Sequence, residues 1–258
     1  MDNNIAYLVQ TPDYIPDYVK ILEDMGRDVY IHSWKRPVEH KNNIFFPDST
    51  VWEGRNKLIE AVPKKYLYYV VLDDDLELFI REKKYSEDRG KNPWKVFDDF
   101  LIEYEPAVGT LAYRFHQKFT TYDTAVLAFH RDIIDLCFPT FLGFDDISWW
   151  WTAYVCLNIT ILFFDNHILY CDKIRYKNKR KAEYQRTNIY RYLDKICISS
   201  LLEKRDVSFL TSWNFSSSHK YKKPRSFKYR DMMENFKDKI NKNHIFWRDH
   251  PFINSLEK

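Results

Sequence analysis

With 258 residues, 45% hydrophobic and 30% charged, the chain has core enough for one α/β domain, or a domain with an appendage, and its four scattered cysteines (Cys137, Cys156, Cys171, Cys197), with no CxxC pair, speak against a disulfide frame or a zinc site. No apolar run reaches the roughly 18 residues of a membrane span and the polar start leaves no signal peptide, so the expectation is a cytoplasmic protein without a transmembrane segment. The net charge of +3 hides a division: residues 1–171 carry 18 Lys and Arg against 27 Asp and Glu, a net of −9, whereas residues 172–258 carry 22 against 10, a net of +12. Such a basic part either meets phosphates, acidic glycans, nucleic acid or anionic lipid, or packs over the acidic part.

In chain order, apolar strand-like runs alternate with amphipathic helical stretches: a strand over 5–9, a helix over 15–25, a strand over 29–32, a helix over 51–62 and a strand over 68–72. This is a βαβαβ order. Pro12 and Pro16 flank the start of the first helix, where proline is tolerated, and Gly26 follows its last apolar residue, where helices commonly end.

Asp73, Asp74 and Asp75 follow the apolar run Tyr68-Tyr69-Val70-Val71-Leu72. Carboxylates this close repel by on the order of 4 kcal/mol per pair at 4 Å and intermediate dielectric, so something must offset them. A strand buried on both faces that releases acids at its C-terminal end suits a hard cation, Mg2+ or Mn2+, bridging to substrate phosphates; a solvated acidic turn is the plainer reading.

Residues 81–93 are polar, without hydrophobic period, and read as a mobile loop. Beyond them come a helix over 94–104, strands over 108–115 and 124–129, a helix over 131–138 stopping before Pro139, a turn over 139–144, a helix over 147–155 and a strand over 159–164. From 173 onwards only helices are expected, notably 183–203 and 230–240.

This order, with the helix opening Trp52-Glu53-Gly54-Arg55-Asn56 and the strand ending Val71-Leu72-Asp73-Asp74-Asp75, resembles glycosyltransferases of the GT-A fold, most of all the small viral and bacterial enzymes, over about residues 4–170. The resemblance implies a GT-A-like, Rossmann-type mixed sheet with flanking helices that binds a nucleotide-sugar. Residues 1–171 would form the catalytic core, with a donor half at about 1–100 and an acceptor half at 101–171, and 172–258 a basic helical extension packed on it. It also implies a metal-dependent, inverting transfer from a nucleotide-sugar, UDP-sugar favoured, to a glycan acceptor, in the cytoplasm, or the host cytoplasm for a viral chain.

Carried onto this sequence, the DxD element puts Asp73 near the ribose or sugar and, with Asp75, on Mn2+ or Mg2+, with Asp74 extra between them on the donor side. The turn Gln10-Thr11-Pro12-Asp13-Tyr14 would face nucleobase and ribose, although Asp13 also reads as a helix N-cap. Arg55 and Asn56 would meet ribose or pyrophosphate, an exposed helix arginine being the alternative. Phe144-Asp145-Asp146 resembles the acidic pair that opens the acceptor-side helix, which makes Asp146, with Asp145 second, the base that takes the acceptor hydroxyl's proton; both would also serve as helix caps. Trp149 or Trp150 could offer an aromatic face to a sugar ring or pack in the core, as could Trp34 and Trp52. His219 or His167 would complete the metal sphere, or stand solvated, and Lys220, Lys222, Lys223 and Arg225 could hold the departing diphosphate.

Other chemistries lack their signatures: there is no GxxxxGK[ST], no GxSxG, no first-strand DxDx[TV] and no Gly-Ser before the aspartates. A non-catalytic nucleotide-sugar or nucleic-acid binding protein is the alternative class. Nucleic acid is not the expected partner, because the acidic body repels phosphate, whereas the basic tail could touch a membrane surface peripherally.

Overall fold

The computed structural model describes residues 4–113, 124–143, 152, 168–180, 216–217, 229 and 250–251. Strand β1 (Ile5–Thr11) is buried at every position, so both of its faces are covered and its sequence is a near-continuous apolar run. Ile5, Tyr7 and Val9 face a layer formed by helices α1 (Asp17–Asp24) and α3 (Pro93–Tyr104), among Tyr18, Val19, Leu22, Trp94, Phe97 and Leu101. The alternate residue Gln10 turns to helix α2 (Val51–Ala61), whose Val51 carbonyl accepts from its amide.

The remaining strands are β2 (Asp28–Ser33), β3 (Asn43–Phe45), β4 (Tyr68–Asp73), β5 (Leu76–Ile80), β6 (Val108–Tyr113), β7 (Val126–His130), β8 (Ile168–Asn178) and β9 (Ser216–Ser217), and a short helix α4 (Ile134–Cys137) follows β7. They form one mixed sheet in the order β3-β2-β1-β4-β7-β6-β8-β5, with β9 on β8. β3, β2, β1 and β4 run parallel; β4 meets β7 antiparallel, and β6 pairs antiparallel with β7 and parallel with β8. This is the mixed α/β sheet with flanking helices that the sequence leads one to expect.

Local signals set the helix ends. Thr50 and Glu53 form a capping box on α2, and Asn92 caps α3 with Pro93 in its first turn. α1 starts at Asp17, two residues later than its periodicity suggests, because Pro16 takes the N-cap position. Asp13 is therefore not its cap. α4 keeps only four residues of the helix expected over 131–138.

The expectation of helices alone from 173 is corrected by β8, which continues to Asn178 and pairs antiparallel with β5. The boundary expected after 171 thus falls inside a strand. A register shift opposite Leu111 and Ala112 takes 172–174 out of step with β6, which breaks the alternation that marks a strand. Asp172 in that bulge accepts from Arg81, Lys84 and Tyr85, and Asp88, 2% exposed, accepts from Lys91 at 2.7 Å and pairs with Lys173 at 2.8 Å. The stretch read as a mobile loop is tied to the sheet at both points. No helix among the described residues is long and apolar enough to cross a membrane. The helices expected over 147–155 (Thr152 apart), 183–203 and 230–240 and the strand over 159–164 lie outside the described residues.

Two buried histidines carry a pH dependence. Burial pushes His130, packed between Tyr68 and Tyr229, down to about 4, and burial does the same to His250. Both titrate near 6.5 when unfolded, so the unfolded chain binds the extra protons; the stability linked to them is present above pH 6.5 and is lost as pH falls toward 4. Urea midpoints should show a loss on the order of 1–2 kcal/mol per histidine between pH 7 and pH 5. His130→Asn should lower stability at pH 7 and remove about half of that pH-dependent loss; an unchanged loss would contradict the assignment.

Candidate functional site

The chain leaves β1 toward β2 and β3 on one side and returns to β4 on the other, so the C-terminal ends of β1 and β4 diverge at a switch point of the sheet. Crevices of this kind are where open α/β sheets bind ligands. Gln10 of β1 stands opposite His32 of β2 and Asp73 of β4, and Asp74 and Asp75 make the turn from β4 into β5. The acidic triplet therefore lies at the mouth of that crevice.

Beneath it sits Arg55, 1% exposed on α2 with its guanidinium 4.7 Å from the centre of the Trp52 ring. Its Nε donates to Gln10 Oε1 at 3.1 Å, and one terminal nitrogen donates to Asp73 Oδ1 at 2.8 Å and to the Thr124 carbonyl at 3.1 Å. The Gln10 amide nitrogen donates to the Val51 carbonyl at 2.8 Å and faces His32 Nδ1 at 3.4 Å. With Nδ1 accepting, His32 carries its proton on Nε2, directed at the Phe46 carbonyl at 3.3 Å, and burial keeps the ring's pKa below the usual histidine value and the ring neutral. This chain of contacts fixes Arg55 as a buried support for Asp73. Its alternative as an exposed helix arginine is corrected.

Above the sheet the turn is held by aromatic and basic groups. Tyr18 donates to the Asp73 carbonyl at 2.6 Å, and Tyr14 donates to Asp74 Oδ2. Arg180, just past β8, donates from its backbone to Asp75 Oδ2 at 2.9 Å; its guanidinium reaches Asp74 Oδ2 at 3.4 Å and Tyr14 Oη at 2.6 Å and lies over the Tyr14 ring at 4.9 Å. Burial raises the Asp74 carboxyl above its usual range; the Tyr14 hydroxyl and Arg180 oppose this and the Asp75 charge adds to it. Burial, then the Asp74 contact, raises the Tyr14 phenol, so it stays a donor.

The other candidates are put to different uses. Gln10 and Thr11 shape the site: the Gln10 amide meets Val51, His32 and Arg55, and the buried Thr11 hydroxyl donates to the Tyr14 carbonyl at 2.7 Å. Asp13 stays at the surface, paired with Arg36 at 3.0 Å. Asn56, about 100° further round the helix than Arg55, clamps Thr140, accepting from its backbone at 2.8 Å and donating to its carbonyl at 3.3 Å. Trp52 is fully buried against Phe138, and Trp34 stacks on His32. A cavity of about 580 Å3 lies on the Asn56 side of α2, between Ile59, Lys64, Asp135 and Phe138, away from the acidic turn. Asp145, Asp146, Trp149, Trp150, His167 and His219 lie outside the described residues.

A donor set made of carboxylate oxygens suits a hard divalent ion. Among the described residues no three Asp, Glu, His or Cys side chains gather into a protein-only cage. One or two carboxylates completed by substrate phosphates is the arrangement that fits, and it is the usual one for Mg2+. Nothing in the sequence points to Arg180 or Tyr18. Arg180 contacts a residue 105 positions away, and nothing local to it signals that contact.

No family model matches the chain, and no curated protein is significantly similar to it. Among solved structures it is similar to S. aureus TarS 1-349 in complex with UDP-GlcNAc, at 11% identity over 80% of this chain and 69% of that one, with a TM-score of 0.46. A glycosyltransferase involved in glycosylation of the major capsid of PBCV-1 follows at 14% identity over 57% and 66%, TM-score 0.30. A Drosophila β1,4-galactosyltransferase 7 complex with manganese, UDP-Gal and xylobiose has 10% identity over 88% and 83%, TM-score 0.35. Likeness this distant leaves the functional case to the site itself.

The close approach of α2 to β1 gives a direct test. A Cβ on Gly54 would stand 2.4 Å from both Gln10 Nε2 and His32 Cε1. Alanine in a helix is otherwise favoured over glycine by about 1 kcal/mol, whereas overpacking of this kind costs roughly 1–3 kcal/mol. Gly54→Ala should lower the unfolding midpoint by several degrees; an unchanged or raised midpoint would mean that Gln10 and His32 are not pinned as described.

Proposed function

We propose that the chain is a GT-A-like glycosyltransferase that moves a sugar from a nucleotide-sugar, UDP-linked in preference to GDP-linked, to a glycan acceptor, with inversion and with Mn2+ or Mg2+. The observation that carries this reading is the placement of Asp73, Asp74 and Asp75 at the β1/β4 crevice, with Asp73 braced from below by a buried arginine. Such a turn is built to hold charge in place, and a substrate that brings phosphates with a divalent ion uses what it offers.

Asp75 and Asp73 would hold the metal, which when bound neutralises charge on the diphosphate as the sugar leaves. Arg55 acts through Asp73 as a positioning residue. Asp13 and Tyr14, on the turn after β1, would flank the nucleotide. Asp146, or Asp145, accepts the acceptor hydroxyl's proton while that oxygen bonds to the anomeric carbon and the carbon–oxygen bond to the diphosphate breaks. Trp149 and Trp150 would offer the acceptor an apolar face, and His219 or His167 would be a further metal ligand. The protein would act in the cytoplasm.

Thermal unfolding against a panel of nucleoside diphosphates tests the reading. UDP at about 100 times its Kd, with Mn2+, should add about 2.7 kcal/mol, a rise of roughly 5–10 °C for a chain of this size. Asp75→Ala should abolish the response. No response to any nucleotide, together with salt-sensitive retention on nucleic acid, would replace the transferase with a nucleic-acid binder.

A further inference from the structure

We infer that Arg180 is a further binding residue of this site: its guanidinium rests on Asp74, beside the carboxylates of Asp73 and Asp75 that would take a divalent cation, and it passes to the donor diphosphate when the cation binds. The inference rests on the transferase reading above and adds to it a residue that the acidic motif does not contain.

The geometry separates an anchor from an arm. The Lys179 backbone donates to the Asp75 carbonyl at 2.7 Å and the Arg180 backbone to Asp75 Oδ2 at 2.9 Å, so the main chain at the end of β8 is fastened to the turn by two hydrogen bonds. The side chain is 58% exposed and holds Asp74 only at 3.4 Å. An exposed pair at that distance is weak and exchangeable. Its firmer partner is neutral, the Tyr14 hydroxyl at 2.6 Å with the ring beneath the guanidinium. Arg55, buried and held by Gln10, Asp73 and Thr124, lacks this freedom, so the two arginines differ in kind.

A divalent ion on the turn would sit beside a like charge, which weakens the hold of Asp74 on the guanidinium. The nearest new anion is then the diphosphate that shares the ion, and a guanidinium forks onto phosphate oxygens with charge-assisted hydrogen bonds. Removing the positive charge should therefore act with opposite sign on the two ligands: tighter metal alone, weaker nucleotide.

Isothermal titration of Mn2+ into the full chain, and then of UDP in saturating Mn2+, tests this with wild type, Arg180→Gln and Arg180→Lys. Arg180→Gln keeps the backbone donor and should bind Mn2+ about threefold more tightly, the scale of an exposed ion pair. It should bind UDP about tenfold more weakly, the scale of a hydrogen bond to a charged group. Arg180→Lys, a folding control that keeps the charge, should stay near wild type for Mn2+. An Arg180→Gln protein whose Mn2+ affinity is unchanged or lower, while wild type binds UDP, overturns the role of Arg180 alone. A wild type that binds no UDP overturns the transferase reading and this inference with it.

Discussion

Three adjacent carboxylates at one strand end can exist in a folded protein only if positive charge or donors meet them. At an intermediate dielectric each pair 4 Å apart is unfavourable by on the order of 4 kcal/mol, a large part of the stability of a domain. The protein supplies the countercharge in two layers. Arg55 lies in the core under Asp73, and Arg180 closes over Asp74 and Asp75 from the end of β8. Much of the local architecture follows from the first of these. A buried guanidinium must be hydrogen-bonded, which commits the Gln10 amide and the Thr124 carbonyl, and the helix carrying it must come close to β1, which leaves no room for a side chain at position 54.

The two layers have different consequences for function. A carboxylate braced from below by an immobile arginine keeps its orientation whatever binds above it, which is the preorganisation a transfer site needs. Groups above the turn are exposed and replaceable. The same face also carries Tyr14 and Tyr18, whose phenols burial keeps protonated, so they act as donors toward Asp74 and the Asp73 carbonyl and not as competing anions. The crevice thus offers acids and hydroxyl donors over a rigid base.

The βαβαβ beginning was legible in the sequence because each of its elements is long, apolar on the right period and punctuated by Pro and Gly; β1, β2, α2 and β4 fall within two residues of their expected places. β3 escaped because it is three residues long and partly exposed, and β8 because its bulge at 172–174 interrupts the alternation while its lysines and arginine resemble a basic tail. The acidic triplet was legible as a charge problem at a strand end. Its solution was not, since Arg180 meets it through long-range contacts. The partners of the Gln10 and Asn56 amides, Val51, Arg55 and Thr140, lie 41 to 84 positions away, and nothing local to either amide signals them.

The most direct test of the central claim is anomalous diffraction from crystals grown with UDP and Mn2+. The account predicts a manganese peak at metal–ligand distance, about 2.1 Å, from a carboxylate oxygen of Asp75 or Asp73 and bridging to the diphosphate. UDP seated elsewhere, or seated in the β1/β4 crevice with no metal on either aspartate, would contradict it.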